Sequence, residues 1–173
     1  MATFYDSVIP TLINALKTEQ HLLTKGEAFA AEKNVPFTEF LEARLAPDMW
    51  NLSQQVTIST VHSAGFIAKV VGGDISIPPL GPASLEDAKK YLAETIAILE
   101  SVKPESINGQ EEKIITAYLS ADVPAAPMKA FDYALGYLTP QLYFHFTTLY
   151  AILRSKGVPI GKKDFISNFI KLA

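Results

Sequence analysis

Apolar residues recur along the chain at steps of three and four, the spacing that gathers side chains on one face of an α-helix, and this period marks out four long segments. In the first, Thr3 to Lys33, the residues Tyr5, Ile9, Leu12, Leu16 and Leu23 share a face, and Pro10 costs about one hydrogen bond and bends the helix near its first turns. Pro36 to Leu45 reads as a short helical connector that stops before Pro47, because the residue ahead of a proline avoids helical dihedrals. A second long helix is expected from Asp48 to Val71, closed by Gly72-Gly73, and Ile75 to Pro82 is a crossing loop. Ser84 and Asp87 form a capping pair for the third helix, whose seam is Ala88, Leu92, Thr95, Leu99 and Val102 and which ends before Pro104. Glu105 to Lys129 is weakly patterned: Asn108-Gly109 marks a turn, Ile114 to Leu119 one short strand, and Pro124 and Pro127 a loop. The fourth helix is expected over Thr139 to Ser155, with Pro140 in its first turn and Gly157 just past its end, and Lys163 to Leu172 forms a short helix across the bundle end. The pattern predicts an all-α, up-and-down four-helix bundle over residues 1–173 as a single domain, with short connecting helices and a short β segment before the last long helix.

The pattern matters for chemistry where it is interrupted. On the second helix the inward spacing passes through Asp48, Leu52, Gln55, Ser59, His62 and Phe66, so a seam that should be greasy is largely polar, while Val56, Ser63, Ile67 and Val70 supply the apolar contact. On the fourth helix Leu138, Leu142, His145, Leu149 and Ile152 share a face, which sets His145 among aliphatic side chains. An unpaired buried imidazole costs roughly 1–3 kcal/mol, so His145 requires a partner, with His62, Tyr143 and Tyr150 in reach. His21 falls opposite Leu12 on the first helix and reads as a solvated surface residue.

Composition narrows the function classes. The 173 residues are 49% hydrophobic and 19% charged with a formal net charge of −3, and Lys and Arg are interspersed with Asp and Glu. No basic stripe is present to hold nucleic acid. The absence of Cys removes disulfides, thiolate metal sites and catalytic thiols. No apolar run approaches a membrane span, and Asp6 and Pro10 interrupt what would be the core of a secretion signal, so a cytoplasmic location without membrane association is expected. The Gly157 to Lys163 segment lacks the spacing and the Ser or Thr of a phosphate loop, and Ser59 and Ser63 lack the glycines of a nucleophile elbow.

The segments Arg44 to Leu52, Gln55-Val56, Leu142 to Arg154, Gly157-Val158 and Gly161 to Phe165 together resemble the family catalogued as domain of unknown function 1993, placed in the DinB-like superfamily of helical bundles. The resemblance implies a metal centre built from one histidine of the second helix and two, four residues apart, of the fourth. His62 could stand for the first and His145 for one of the pair, but positions 141 and 149 hold Gln141 and Leu149. A catalytic zinc ordinarily takes three protein ligands, so no tightly bound metal is expected unless Asp48 or another carboxylate completes the set. The resemblance also implies Asp and Lys where this chain has Val61 and Ala64, which favours a more apolar pocket.

The leading expectation is therefore a cofactor-independent enzyme acting by proton transfer on a small, apolar or aromatic substrate, in an isomerisation, cyclisation or dehydration. His62 or His145 would move the proton and Asp48 would orient or charge it. Gln55, Ser59, Gln141 and Tyr150 would bind substrate oxygens, and Phe66 would offer stacking surface with Tyr143, Phe144 and Phe146. The alternatives are a hydrolase or transferase dependent on a divalent ion such as zinc or nickel at His62 and His145, and a non-catalytic module that binds a small molecule or forms a homodimer through an exposed apolar helix face.

Overall fold

A computed structural model describes residues 2–73, 78–118 and 122–170. Four long rods enclose one apolar core. The first, α1, spans Phe4–Lys33 and is opened by a capping box in which the Thr3 hydroxyl accepts from the Asp6 N–H and the Asp6 carboxylate accepts from the Thr3 N–H. It ends at Asn34 in the left-handed conformation. After a one-turn helix, α2 (Thr38–Leu41), the second rod α3 runs over Leu52–Val70. It begins four residues later than Asp48, because Asn51 and Gln54 form its capping box and Asp48 lies in the preceding loop.

The third rod, α4 (Leu85–Ser101), is capped by Ser84 as the sequence predicts, and Pro104 opens a further short helix, α5 (Pro104–Ile107). Strand β1 (Ile114–Ala117) pairs antiparallel with β2 (Ala126–Lys129), in register Ile115 with Met128. The second strand was expected to be a loop on account of Pro127. A two-stranded hairpin leaves edges on which a proline without an N–H is tolerated. The expected strand residue Leu119, the loop residues Ile75 to Ile77 and the last helical residue Leu172 lie outside the described residues.

The fourth rod starts nine residues before Thr139. Helix α6 (Ala130–Tyr133), a π-helical turn (Ala134–Leu138) and α7 (Thr139–Ser155) follow one another without a break. Pro140 has no N–H to offer the carbonyl four residues back, and the widened turn accommodates it, with the Thr139 hydroxyl donating to the Ala134 carbonyl at 2.8 Å. A short helix α8 (Lys162–Ile166) packs on α1, where the Asp164 carboxylate meets His21 Nε2 at 3.0 Å. His21 is thus a paired residue and not simply a solvated one.

Helix α1 packs beside α4 and α7, and α3 likewise, so α1 and α3 stand on opposite corners of the bundle. The connection between them must cross the bundle end. It does so as the 42–51 loop, held down by the Leu52 N–H on the Ala43 carbonyl at 2.9 Å and by Arg44 on the Met49 carbonyl at 3.3 Å. Among the described residues no helix is long and apolar enough to cross a membrane.

The step between Leu16 and Leu23 on the inward face of α1 is filled by Glu19. Its side chain is fully buried and neither carboxyl oxygen has a hydrogen-bond partner among the described residues. The neighbouring Ser59 hydroxyl acts to lower its pKa but is itself directed to the Gln55 carbonyl at 3.1 Å, and desolvation dominates, raising the carboxyl from its ordinary 4.5 to about 8. Glu19 is therefore neutral in the fold at pH 7. The folded state binds the extra proton between pH 4.5 and 8, so its stability contribution is fully present below 4.5 and is lost as pH rises to 8, at up to about 1.4 kcal/mol per pH unit. Replacing Glu19 by Gln should remove that loss. Chemical unfolding at pH 5 and pH 8.5 should show wild type losing stability relative to Glu19→Gln; equal pH dependence of the two would mean that Glu19 is not the buried acid described.

Candidate active site

The site lies where the 42–51 loop crosses the start of α3 and meets α7. Gln55 is in the first turn of α3, and its side chain bridges two elements. Its Nε2 donates to the Trp50 carbonyl at 2.9 Å, and its Oε1 lies 2.7 Å from His145 Nδ1. A carbonyl can only accept, so the NH₂ end of the amide must face Trp50 and the oxygen must face the imidazole. An amide oxygen also only accepts. His145 therefore carries its proton on Nδ1 and keeps a lone pair on Nε2.

Burial, and then the neighbouring His62, together lower the His145 pKa to about 4. Burial, and then Lys69, likewise lower His62. Both imidazoles are neutral at physiological pH. Their rings lie 6.3 Å apart and nearly parallel. The Trp50 indole stacks on His145 at 5.9 Å, and the Phe144 ring meets it edge-on at 5.1 Å. A cavity of about 240 Å³ is lined by Asp48, Met49, Trp50, Gln55, Phe144 and His145.

The residues expected from the sequence fall into three groups. His62, His145 and Gln55 come together, with Asp48 exposed at the cavity rim. Gln141 stands one layer out: its amide donates to the Tyr137 hydroxyl at 3.0 Å, and the Tyr137 ring meets His62 edge-on at 5.8 Å. Ser59, Phe66 and Tyr150 are elsewhere. The Ser59 hydroxyl serves its own helix and neighbours Glu19, Phe66 is packed between Phe4 and Tyr133 in the core, and Tyr150 is turned to Phe165 of α8. The partner of His145 is the Gln55 amide and neither Tyr143 nor Tyr150.

Two residues of the site region escape the periodicity. Trp50 precedes the helix cap, so no helical face could assign it, and its signal is the oddity of a large apolar residue directly before an N-cap. Glu19 was missed as well, and the signal that could have found it is a charged residue at a seam position of α1.

The donor set does not fit the metal centre that the family resemblance implies. Among the described residues no three His, Cys, Asp or Glu side chains are grouped so as to hold an ion, and Leu149 and Gln141 leave His62 and His145 without the third protein ligand that a catalytic zinc uses.

Comparison with known proteins places this geometry in a family. The chain is similar to a DinB family member protein from Shewanella denitrificans, whose crystal structure matches with a TM-score of 0.79 at 28% identity, over 94% of this chain and 90% of that one. No curated protein matches. The family model described as domain of unknown function, DUF1993, matches residues 4–166. With a family match over nearly all of its length and a bundle of the DinB type, the chain belongs to the DUF1993 family.

Proposed function

We propose that this protein is a cofactor-independent enzyme that moves a proton on a small, largely apolar substrate, with His145 as the base. The observation that carries the reading is the fixed tautomer. Gln55 holds the Nδ1–H and leaves Nε2 as the basic atom of a neutral, buried ring on the wall of the cavity. Trp50 and Phe144 give an aromatic substrate stacking and edge contacts.

The low pKa shapes the chemistry. An imidazolium with pKa about 4 gives its proton back readily, so the site suits reactions in which His145 takes a proton from one substrate atom and delivers it to another. Isomerisation and dehydration have this form. In the first, a C–H bond breaks and a new C–H or O–H bond forms on the same molecule; in the second, the proton leaves with the hydroxyl as water. Asp48 at the rim favours the transient positive charge, and His62, being neutral, adds no repulsion until it too is protonated.

A general-base probe tests the reading. 5-Nitrobenzisoxazole loses its C3 proton to a base as its N–O bond breaks, releasing a coloured phenolate. The protein should accelerate this elimination, with a rate that climbs through a midpoint near pH 4 and is level from pH 6 to 8. His145→Gln should lower the rate by about 10²-fold or more. An unchanged rate in that variant, or a midpoint near 6.5, would count against His145.

Gln55→Glu gives a second, independent outcome. A carboxylate at hydrogen-bonding distance favours the imidazolium, so the midpoint should move up by about 1–3 pH units, while loss of the donor to the Trp50 carbonyl should cost about 1–3 kcal/mol of stability. The pH profile and thermal unfolding of the variant read the two effects separately, and a midpoint that stays in place would refute the pairing of Gln55 with His145.

A further inference from the structure

The cavity at His145 adjoins a second one across Met49 and Phe144. A second hollow of about 540 Å³ runs along the outer face of α7, lined by residues that include Leu45, Met49, Tyr143, Phe144, Thr147 and Ala151. Met49 and Phe144 line both, so the two are neighbouring sections of one trough. The outer section is apolar: its described lining carries no charged side chain, and the Thr148 hydroxyl is directed to the Phe144 carbonyl at 2.7 Å. Its far wall, Leu45 and Met49, belongs to the loop that Arg44 and the Leu52 N–H hold down. Three large apolar residues stand half in solvent along the trough, with Leu45 45%, Trp50 42% and Phe144 54% exposed.

We infer that the groove along α7 holds the aliphatic tail of the substrate, so that the ligand is an elongated amphiphile whose carbonyl-bearing head reaches His145 while its chain lies against Leu45, Tyr143 and Ala151. The inference rests on the proposed reading of the His145 cavity as the reacting end. Dimensions support it. From Phe144 to Ala151 the helix advances about 10 Å, roughly the length of an eight-carbon chain. A small substrate would fill the inner 240 Å³ and leave the outer 540 Å³ unused.

Continuity with the cavity and small extent favour a substrate tail over a second protein. A stable protein interface engages about 20–30 residues on each side, whereas this groove offers eight. Its exposed ring, Phe144, is also one that flanks His145, and a partner seated there would close the route to the imidazole.

Alkyl phenyl ketones test the inference: acetophenone, butyrophenone, hexanophenone and octanophenone, titrated while reading quenching of Trp50, the single tryptophan. Burying a methylene gains about fourfold in affinity when complete and about twofold when one side stays open, so octanophenone, with six more methylenes, should bind about sixtyfold more tightly than acetophenone. Ala151→Phe, or Thr147→Phe should the first fail to fold, fills the groove without adding a second tryptophan, and should flatten this dependence and leave acetophenone affinity unchanged. Ile98→Phe, in the separate hollow between α3 and α4, should change neither.

Acetophenone binding with no gain on lengthening, or a gain that survives both groove variants, overturns the inference while leaving the reading of the His145 cavity intact. Failure of every ketone to bind overturns both. Sedimentation of wild type as a dimer that Ala151→Phe dissociates would assign the groove to a second copy and overturn it as well.

Discussion

The side-chain amide of Gln55 can satisfy the Trp50 carbonyl and the His145 ring together in one orientation only, and the architecture of the site follows from that constraint. Each contact depends on a different part of the fold. The Trp50 carbonyl is positioned by the loop that must cross the bundle end because α1 and α3 are diagonal. Gln55 is positioned by the Asn51 and Gln54 cap that fixes where α3 begins. His145 is positioned by the aliphatic seam of α7. One amide thereby reports whether three elements are in register, and it fixes which imidazole nitrogen is basic.

Much of the bundle was legible because the helical period is unambiguous. The seam of α7 through Leu138, Leu142, His145, Leu149 and Ile152 is buried throughout, as its spacing requires. Capping chemistry was read correctly at Ser84 and missed at Asn51, where Asp48 and Pro47 offered a competing start. The upstream part of the last rod was missed because Pro140 normally marks a first helical position, and here a π-helical turn absorbs it. At the site, spacing brought His62, His145 and Gln55 together but misjudged Ser59, Phe66 and Tyr150. Periodicity tells that a side chain is inward without telling which neighbour it meets, so these three were inward or half-inward for other reasons: a helix bond, core packing, and the docking of α8.

The polar core carries two buried acid–base groups held in their neutral forms by the same cause. Desolvation pushes Glu19 up and His145 down, in each case toward the uncharged species. Opposite signs of shift give opposite pH dependences: acidification protonates His145 against its environment, and alkalisation ionises Glu19 against its own. Both groups are uncharged in the interval between about pH 4 and 8, and their contributions to stability run in opposite directions across it. This core sits in a bundle of the DinB type, with Leu149 and Gln141 at the positions where the family resemblance implies further histidines, and the proposed chemistry rests on the lone pair of the neutral imidazole.

His145 is a neutral, Nδ1-protonated imidazole because the Gln55 amide oxygen accepts a hydrogen bond from its Nδ1–H. Imidazole nitrogen chemical shifts in uniformly ¹⁵N-labelled protein, followed from pH 3.5 to 8 and assigned with His145→Gln, test it most directly. The account predicts the Nδ1–H tautomer for His145 and a single transition near pH 4. An Nε2–H tautomer, or a transition near 6.5, would contradict it.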